Sequence, residues 1–135
     1  MTTRDLVNDV DVNNLLVATI SSDTDTFSAA VDTADFDMGV GFYARFTNYT
    51  DGDYVLSVQD SDDGSTDWQD VTADSLQITE EVSASGDQTV KQGAFGTRRF
   101  QRAKITSTNV TTGADVAILA VKAAELKPTN NTPNV

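Results

Sequence analysis

The stretch Val40–Thr47, which reads VGFYARFT, decides the fold class of this 135-residue chain. Large apolar side chains or alanine occupy every second position of it, and smaller or polar side chains alternate with them. Because successive side chains of a strand point to opposite faces of a sheet, this spacing predicts a β-strand with one face in the core. A second alternating run, Tyr54–Val58, follows a turn signal at Asp51-Gly52, so the sequence predicts a β-hairpin formed by the two runs.

The composition extends the β prediction to the whole chain. Of the 21 acidic residues 18 are Asp and 3 are Glu, which disfavours helices because Asp competes for backbone hydrogen bonds. The 19 Thr and 15 Val residues favour strands instead. Turn signals recur about every 8 to 12 residues, the spacing of a sandwich or jelly roll. We therefore predict an all-β, single-domain antiparallel β-sandwich, jelly-roll-like, over residues 14–126, with a flexible N-terminal arm (1–13) and a flexible C-terminal tail (127–135).

Two further strands are predicted in the second half of the chain. In Arg98–Ser107, Ala103 and Ile105 share one face, while the opposite face carries Phe100 and the basic side chains. In Val116–Ala124 both faces are apolar, which is typical of a central strand or of one covered by a neighbouring subunit.

Charge is distributed unevenly along the chain. Residues 1–90 hold 19 acids and 2 bases, whereas residues 91–135 hold 7 bases and 2 acids. Two interpretations follow from this asymmetry. The bases could form an interface patch for an acidic surface such as that of a neighbouring copy, or they could neutralise Asp residues within one subunit.

The residue inventory excludes most catalytic chemistry. The chain has no Cys and no His, so thiol nucleophiles, imidazole bases, disulfides and nearly all zinc or haem sites are excluded. We predict no catalytic, cofactor-binding or metal-ligating residues and no enzymatic activity. The net charge of −12 argues against nucleic acid as a general partner, and we expect neither a secretion signal nor a membrane span.

Two motifs have alternative interpretations. The turn Asp60–Gly64 resembles a calcium loop, but its glycine is the fifth residue and Val71 occupies the twelfth position, so an Asp-rich turn capping its own backbone is favoured over a looser calcium site. Trp68, the single tryptophan, is interpreted as a plug at one end of the core in preference to a carbohydrate-stacking platform, because no second aromatic residue lies close to it in the sequence.

Two segments together resemble a known family. The segments Tyr54–Trp68, reading YVLSVQDSDDGSTDW, and Gly93–Thr108, reading GAFGTRRFQRAKITST, resemble small virion structural proteins of tailed bacteriophages. The resemblance covers roughly residues 40–124. It implies a head decoration, or cement, protein that binds the outer capsid surface of the mature head and clamps neighbouring subunits of the major capsid protein. Synthesis in the host cytoplasm and a homo-oligomer, with a trimer favoured, are part of the same expectation.

A clamp of this kind needs contact residues, and we assign two sets as hypotheses. The first set forms subunit interfaces and comprises Arg98, Arg99, Phe100, Arg102, Lys104, Val116, Ile118, Leu119 and Val121. The second set lies on the N-terminal arm, which would lie along the capsid or add a strand to an exposed sheet edge, and comprises Arg4, Leu6, Val7, Val10 and Val12. The alternatives are a head-fibre or tail-associated β-sandwich and a carbohydrate-binding or adhesion module.

Overall fold

The computed structural model describes residues 10–34, 40–95 and 98–123, with the side chains described from residue 14 to residue 122. All the regular elements in these ranges are strands apart from one short 3₁₀ helix, Ala73–Ser75. The ten strands are β1 (Val10–Ile20), β2 (Asp25–Phe27), β3 (Val31–Asp32), β4 (Val40–Thr47), β5 (Asp53–Ser61), β6 (Gln69–Asp70), β7 (Val82–Ala84), β8 (Gln88–Gly93), β9 (Phe100–Thr108) and β10 (Ala114–Ala123).

The strands form two antiparallel sheets. The four-stranded sheet has the order β1-β10-β4-β8. The six-stranded sheet has the order β2-β9-β5-β6, with β3 also pairing with β9 and β7 also pairing with β5. Since β2 and β3 share one partner, and β6 and β7 share another, the arrangement is equivalent to two facing four-stranded sheets with jelly-roll connectivity. The predicted all-β, jelly-roll-like sandwich is confirmed.

The core lies between the two sheets and follows the predicted alternation. The inward residues of β4 are all fully buried, and so are those of β5, with Phe46 and Tyr54 bringing their ring centroids to 5.0 Å across the core. Ala103 and Ile105 of β9 point inward as predicted and are completely buried. At ordinary values of about 25 cal/mol per Å² of apolar surface, this burial is the main source of stability.

The predicted hairpin between β4 and β5 is wrong, although both strands exist. β4 pairs with β10 and β8, whereas β5 pairs with β9, so the link between them crosses from one sheet to the other. The two apolar faces therefore oppose each other across the core instead of lying side by side in one sheet. Alternation of side chains is the same in both arrangements, which is why the sequence pattern does not distinguish them.

The links β4–β5 and β9–β10 are fastened to each other. The Asp51 carboxylate accepts hydrogen bonds from the backbone amides of Thr111, Thr112 and Gly113 at 3.0 to 3.1 Å. The amide of Thr50 in turn donates to the Gly113 carbonyl at 2.9 Å. These amide donors lower the pKa of Asp51, because they favour its charged form. The Asp51 carboxylate thus joins the β4–β5 and β9–β10 links at the same end of the sandwich.

The first strand begins earlier than the sequence indicates. β1 starts at Val10 and pairs with β10 from Val10↔Ala123 to Ile20↔Ala114, with a bulge between Asn14 and Leu16. The last four residues of the predicted arm are therefore part of the sheet. Residues 1–9 and 124–135, which include Arg4, Leu6, Val7 and the predicted tail, lie outside the described residues.

Candidate binding surfaces

The predicted interface residues fall in three different places. Arg98, Arg99, Phe100, Arg102 and Lys104 lie on or beside the outer face of the six-stranded sheet. Leu119 and Val121 lie on the outer face of the four-stranded sheet, on the opposite side of the molecule.

For the other two predicted interface residues, Val116 and Ile118, the prediction is wrong. Val116 and Ile118 are buried in the core, because they occupy the alternate positions of β10 that face the six-stranded sheet. They cannot contact a partner while the domain is folded. The two remaining sets, being on opposite faces, do not form one patch.

Most of the basic residues near β9 are neutralised within the subunit. Arg98 contacts the carboxylates of Asp60 at 2.9 Å and Asp67 at 3.2 Å, and Arg99 contacts Asp32 at 2.7 Å. The interpretation that these bases neutralise Asp residues of the same chain is therefore confirmed for Arg98 and Arg99.

Lys104 is neutralised in the same way, by Asp70 at 3.2 Å. It lies on β9, and Asp70 lies on β6 of the same sheet. Such exposed pairs contribute little stability individually, about 0 to 1 kcal/mol.

Arg99 has the clearest electrostatic effect on its partner. Its guanidinium donates to both carboxylate oxygens of Asp32, at 2.9 and 2.7 Å, and the amide of Ala34 donates a third hydrogen bond at 3.0 Å. Together these donors lower the pKa of Asp32 to about 2. The pair joins the loop before β9 to the end of β3.

Arg102 has a different environment from its basic neighbours. Its guanidinium lies between two aromatic rings, 4.0 Å from the ring centroid of Phe27 and 4.3 Å from that of Trp68. Its Nε donates to Gln59 Oε1 at 2.9 Å. Burial lowers the pKa of Arg102, yet the group remains charged at neutral pH.

Trp68 is therefore not a core plug, and that interpretation is wrong. It is half-buried on the outer face of the six-stranded sheet and does not belong to the core cluster. The sequence places no aromatic residue beside it, but the fold brings Phe27, from β2, to the far side of Arg102. The two rings are 41 positions apart in the chain, and both contact Arg102 of β9, a strand that pairs with β2 on one side and with β5 on the other.

The Asp-rich turn caps its own backbone, as predicted. Asp63 accepts hydrogen bonds from the amides of Ser65 and Thr66 at 3.0 and 2.8 Å, and from the Thr66 hydroxyl at 2.6 Å. These donors hold the pKa of Asp63 well below its usual range. Among the described residues, no group of three or more His, Cys, Asp or Glu side chains is arranged to hold a metal ion.

The outer face of the four-stranded sheet carries an apolar band that runs across the strands. Its members are Val17, Tyr43, Ala117, Leu119 and Val121. Val17 is 83% exposed and lies directly opposite Ala117, while Leu119 lies opposite Tyr43. A shallow groove of about 310 Å³ runs along Tyr43, Ala117, Leu119 and Val121. An outer sheet face is ordinarily polar, so this apolar band is a candidate contact surface.

Two cations border the apolar band. Arg45 lies opposite Ala117 and Lys91 lies opposite Tyr43 in the strand register. The Arg45 guanidinium donates to the Thr89 hydroxyl at 3.2 Å. In the part of the chain that the structure describes, neither Arg45 nor Lys91 pairs with a carboxylate. The sequence places Arg45 on the mixed face of the Val40–Thr47 strand and counts Lys91 among the bases of the second half of the chain, but it does not predict β8 and so does not bring the two residues together.

Comparisons with known proteins bear on the fold. The chain matches no protein-family model and no curated protein sequence. Among solved structures it is similar to the PBSX exported protein XepA, with a TM-score of 0.59 and 17% identity over 87% of this chain and 38% of that one. The chain therefore spans well under half of the length of XepA.

Lower similarities extend to PirA and to a family 35 carbohydrate-binding module from Clostridium thermocellum. For PirA the TM-score is 0.45 and the identity 12%, over 80% of this chain and 91% of that one. For the carbohydrate-binding module the TM-score is 0.35 and the identity 13%, over 87% and 94% of the two chains. Searching the described residues for a helix long and apolar enough to cross a membrane finds none.

Proposed function

We propose that this protein is a non-enzymatic structural protein of a tailed-phage virion, and that it decorates the mature head. It binds the outer capsid surface through the outer face of its four-stranded sheet and stabilises contacts between neighbouring major capsid subunits. The observation that carries the proposal is the apolar band bordered by Arg45 and Lys91, neither of which pairs with a carboxylate of the described residues. The resemblance over residues 40–124 and the fold shared with an exported PBSX protein support it.

The chemistry of the band indicates what kind of surface it meets. Apolar side chains at its centre gain free energy when water is removed, at about 25 cal/mol per Å². Arg45 and Lys91 at its border would face carboxylates of the capsid, which set the orientation of docking more than its strength. A band of this composition suits a surface with an apolar centre and an acidic border.

The proposed clamp gains its effect from repetition. Each copy can bind weakly, because many copies that bridge adjacent subunits raise the free energy needed to open any one seam. Assembly into a homo-oligomer, with a trimer expected from the family resemblance, would raise the effective concentration of the second and third contacts further. A rigid sandwich of two sheets is a suitable spacer for such contacts.

The test is co-sedimentation of purified protein with expanded heads assembled without it. Leu119→Asp places a charge in the centre of the band, and we expect at least a tenfold loss of affinity because a buried leucine contributes about 1.5 to 3 kcal/mol. Val55→Asp is the matched control, since Val55 is a half-buried outer residue of the six-stranded sheet. Unchanged binding by Leu119→Asp, or an equal loss in Val55→Asp, would refute docking through the band.

A truncation separates the arm from the sheet. Deleting residues 1–9 leaves all ten strands intact, because β1 begins at Val10. If the arm contacts the capsid, the truncated protein should keep its melting temperature and bind expanded heads less tightly. Full binding by the truncated protein would assign the contact to the sheet alone.

If the protein is instead a head-fibre or tail component, cryo-electron microscopy of the virion would place it away from the capsid lattice.

A further inference from the structure

The Arg102 guanidinium is positioned by contacts with two aromatic rings and by a hydrogen bond to a third side chain. Its Cζ lies over the rings of Phe27 and Trp68, 4.0 and 4.3 Å from their centroids. Gln59 Oε1 accepts from its Nε at 2.9 Å, and Gln59 Nε2 donates to Asp70 Oδ1 at 2.8 Å. A chain of hydrogen bonds therefore orients the edge of the guanidinium, while the rings fix its plane.

The two terminal nitrogens of Arg102 remain available. Within the described residues, no carboxylate, carbonyl or hydroxyl accepts a hydrogen bond from them, whereas Arg98, Arg99 and Lys104 each contact at least one Asp. Neither terminal nitrogen is completely buried, so both keep some contact with solvent. Arg102 thus combines a locked side chain with unused donors that face water.

We propose that Arg102 is the centre of a binding site for a carboxylated sugar, such as a uronic acid. The two terminal nitrogens form a planar fork whose geometry matches a carboxylate, which they would bind through two parallel hydrogen bonds. Because the rings already immobilise the side chain, little conformational entropy is lost when the ligand binds.

The surroundings favour a ligand with one carboxylate and several hydroxyls. Asp70 lies one amide group away from Arg102, its side chain is 62% exposed, and among the described residues its cationic contact is Lys104. Sugar hydroxyls can donate to this carboxylate, whereas an acidic peptide would place further negative charge against it. The net charge of −12 opposes a polyanionic partner in the same way.

Phe27 supplies the remaining element of the site. Phe27 is 37% exposed beside the guanidinium, and its ring offers an apolar surface to the C–H groups of a sugar ring. The site lies on the outer face of the six-stranded sheet, opposite the apolar band. Binding of sugar and binding to a capsid would therefore use different faces, and the sugar site can be tested on the free protein.

Trp68 gives a direct readout, because it is the only tryptophan and contacts Arg102. Its fluorescence would be followed while galacturonate is added up to about 10 mM, with galactose as the matched neutral sugar and hexaglutamate as the acidic peptide. We expect a saturable change with galacturonate, none with galactose and a weaker one with hexaglutamate.

Variants of Arg102 and of its neighbours distinguish the effect of the planar guanidinium fork from that of its positive charge. Arg102→Lys keeps the charge and loses the planar fork, and it should weaken galacturonate binding at least about tenfold. Phe27→Leu removes one ring and should also weaken it, while Arg45→Gln, on the opposite face, should leave it unchanged.

Calorimetry would confirm the affinities, and circular dichroism would confirm that each variant is folded. No response to galacturonate, equal binding of galactose, tighter binding of hexaglutamate, or equal affinity in folded Arg102→Lys would each overturn the proposal.

Discussion

Replacing Gly113 with alanine should strongly destabilise the protein. Gly113 has φ +107°, a backbone conformation that residues with a side chain rarely adopt, and an added Cβ would lie 1.7 Å from the Ile20 carbonyl oxygen. Since real Cβ atoms essentially never approach closer than 3.0 Å, one backbone must move by at least 1.3 Å. That movement would disturb the pair Ile20↔Ala114 and the amides bound by Asp51.

The backbone conformation alone costs about 1 to 3 kcal/mol, and displacement of the neighbouring strand brings the expected loss to about 3 to 5 kcal/mol. Urea unfolding followed by circular dichroism would measure it. With an m value of about 2 kcal/mol per M, the midpoint should fall by about 2 M. Gly86→Ala is the matched control, because its Cβ would meet nothing closer than 3.9 Å, and it should change stability by less than about 1 kcal/mol. A midpoint for Gly113→Ala within about 0.3 M of the wild type would refute the reasoning.

Two further predictions concern an ion pair and the core. The pKa of Asp32 is lowered to about 2, so its pairing with Arg99 stabilises the fold above pH about 4, and this stabilisation is lost as the pH falls toward 2. In urea titrations over that pH window, the wild type should therefore lose more stability than Asp32→Asn. An equal decline in both proteins would contradict the assignment. Phe42→Ala removes a side chain that is 0% exposed and should cost about 3 to 5 kcal/mol, whereas Val17→Ala at an 83% exposed position should change stability by less than about 0.5 kcal/mol, both measured by thermal or urea unfolding. A small effect of Phe42→Ala would mean that the core is not packed as described.

The sequence predicts which residues of a strand face inward much better than it predicts which strands pair. Ala103 and Ile105 are buried as the alternation indicates, because period two follows directly from strand geometry. The partner of β4 depends on where the chain crosses the core, and Val40–Thr47 contains no signal for that. Similarly, β10 is apolar on both faces, and only the packing of the two sheets shows that Ile118 is buried while Leu119 lies on the outer face.

The uneven distribution of charge along the sequence does not predict where the charges lie in the folded molecule. The acids of the first 90 residues and the bases of the last 45 suggest two surfaces of opposite sign. In the fold, β9 lies between β2 and β5, so its basic residues meet acids from the first half of the chain, such as Asp32 with Arg99. Jelly-roll connectivity interleaves the two halves and largely removes the asymmetry at this sheet. The Phe27, Arg102 and Trp68 cluster was missed for the same reason, since its members come from three distant segments.

The repeated crossing of the chain between sheets also determines how the protein must fold. Among the strands that the structure describes, β5 and β6 are the one hydrogen-bonded pair that is consecutive in sequence, so neither sheet forms from one contiguous segment. Most native pairings require closure of a long loop before they contribute any stability, which places the chain among slow folders, on the timescale of milliseconds to seconds. Because of this requirement, partly folded structures gain little stabilisation, which favours a single concerted transition in which both layers form together.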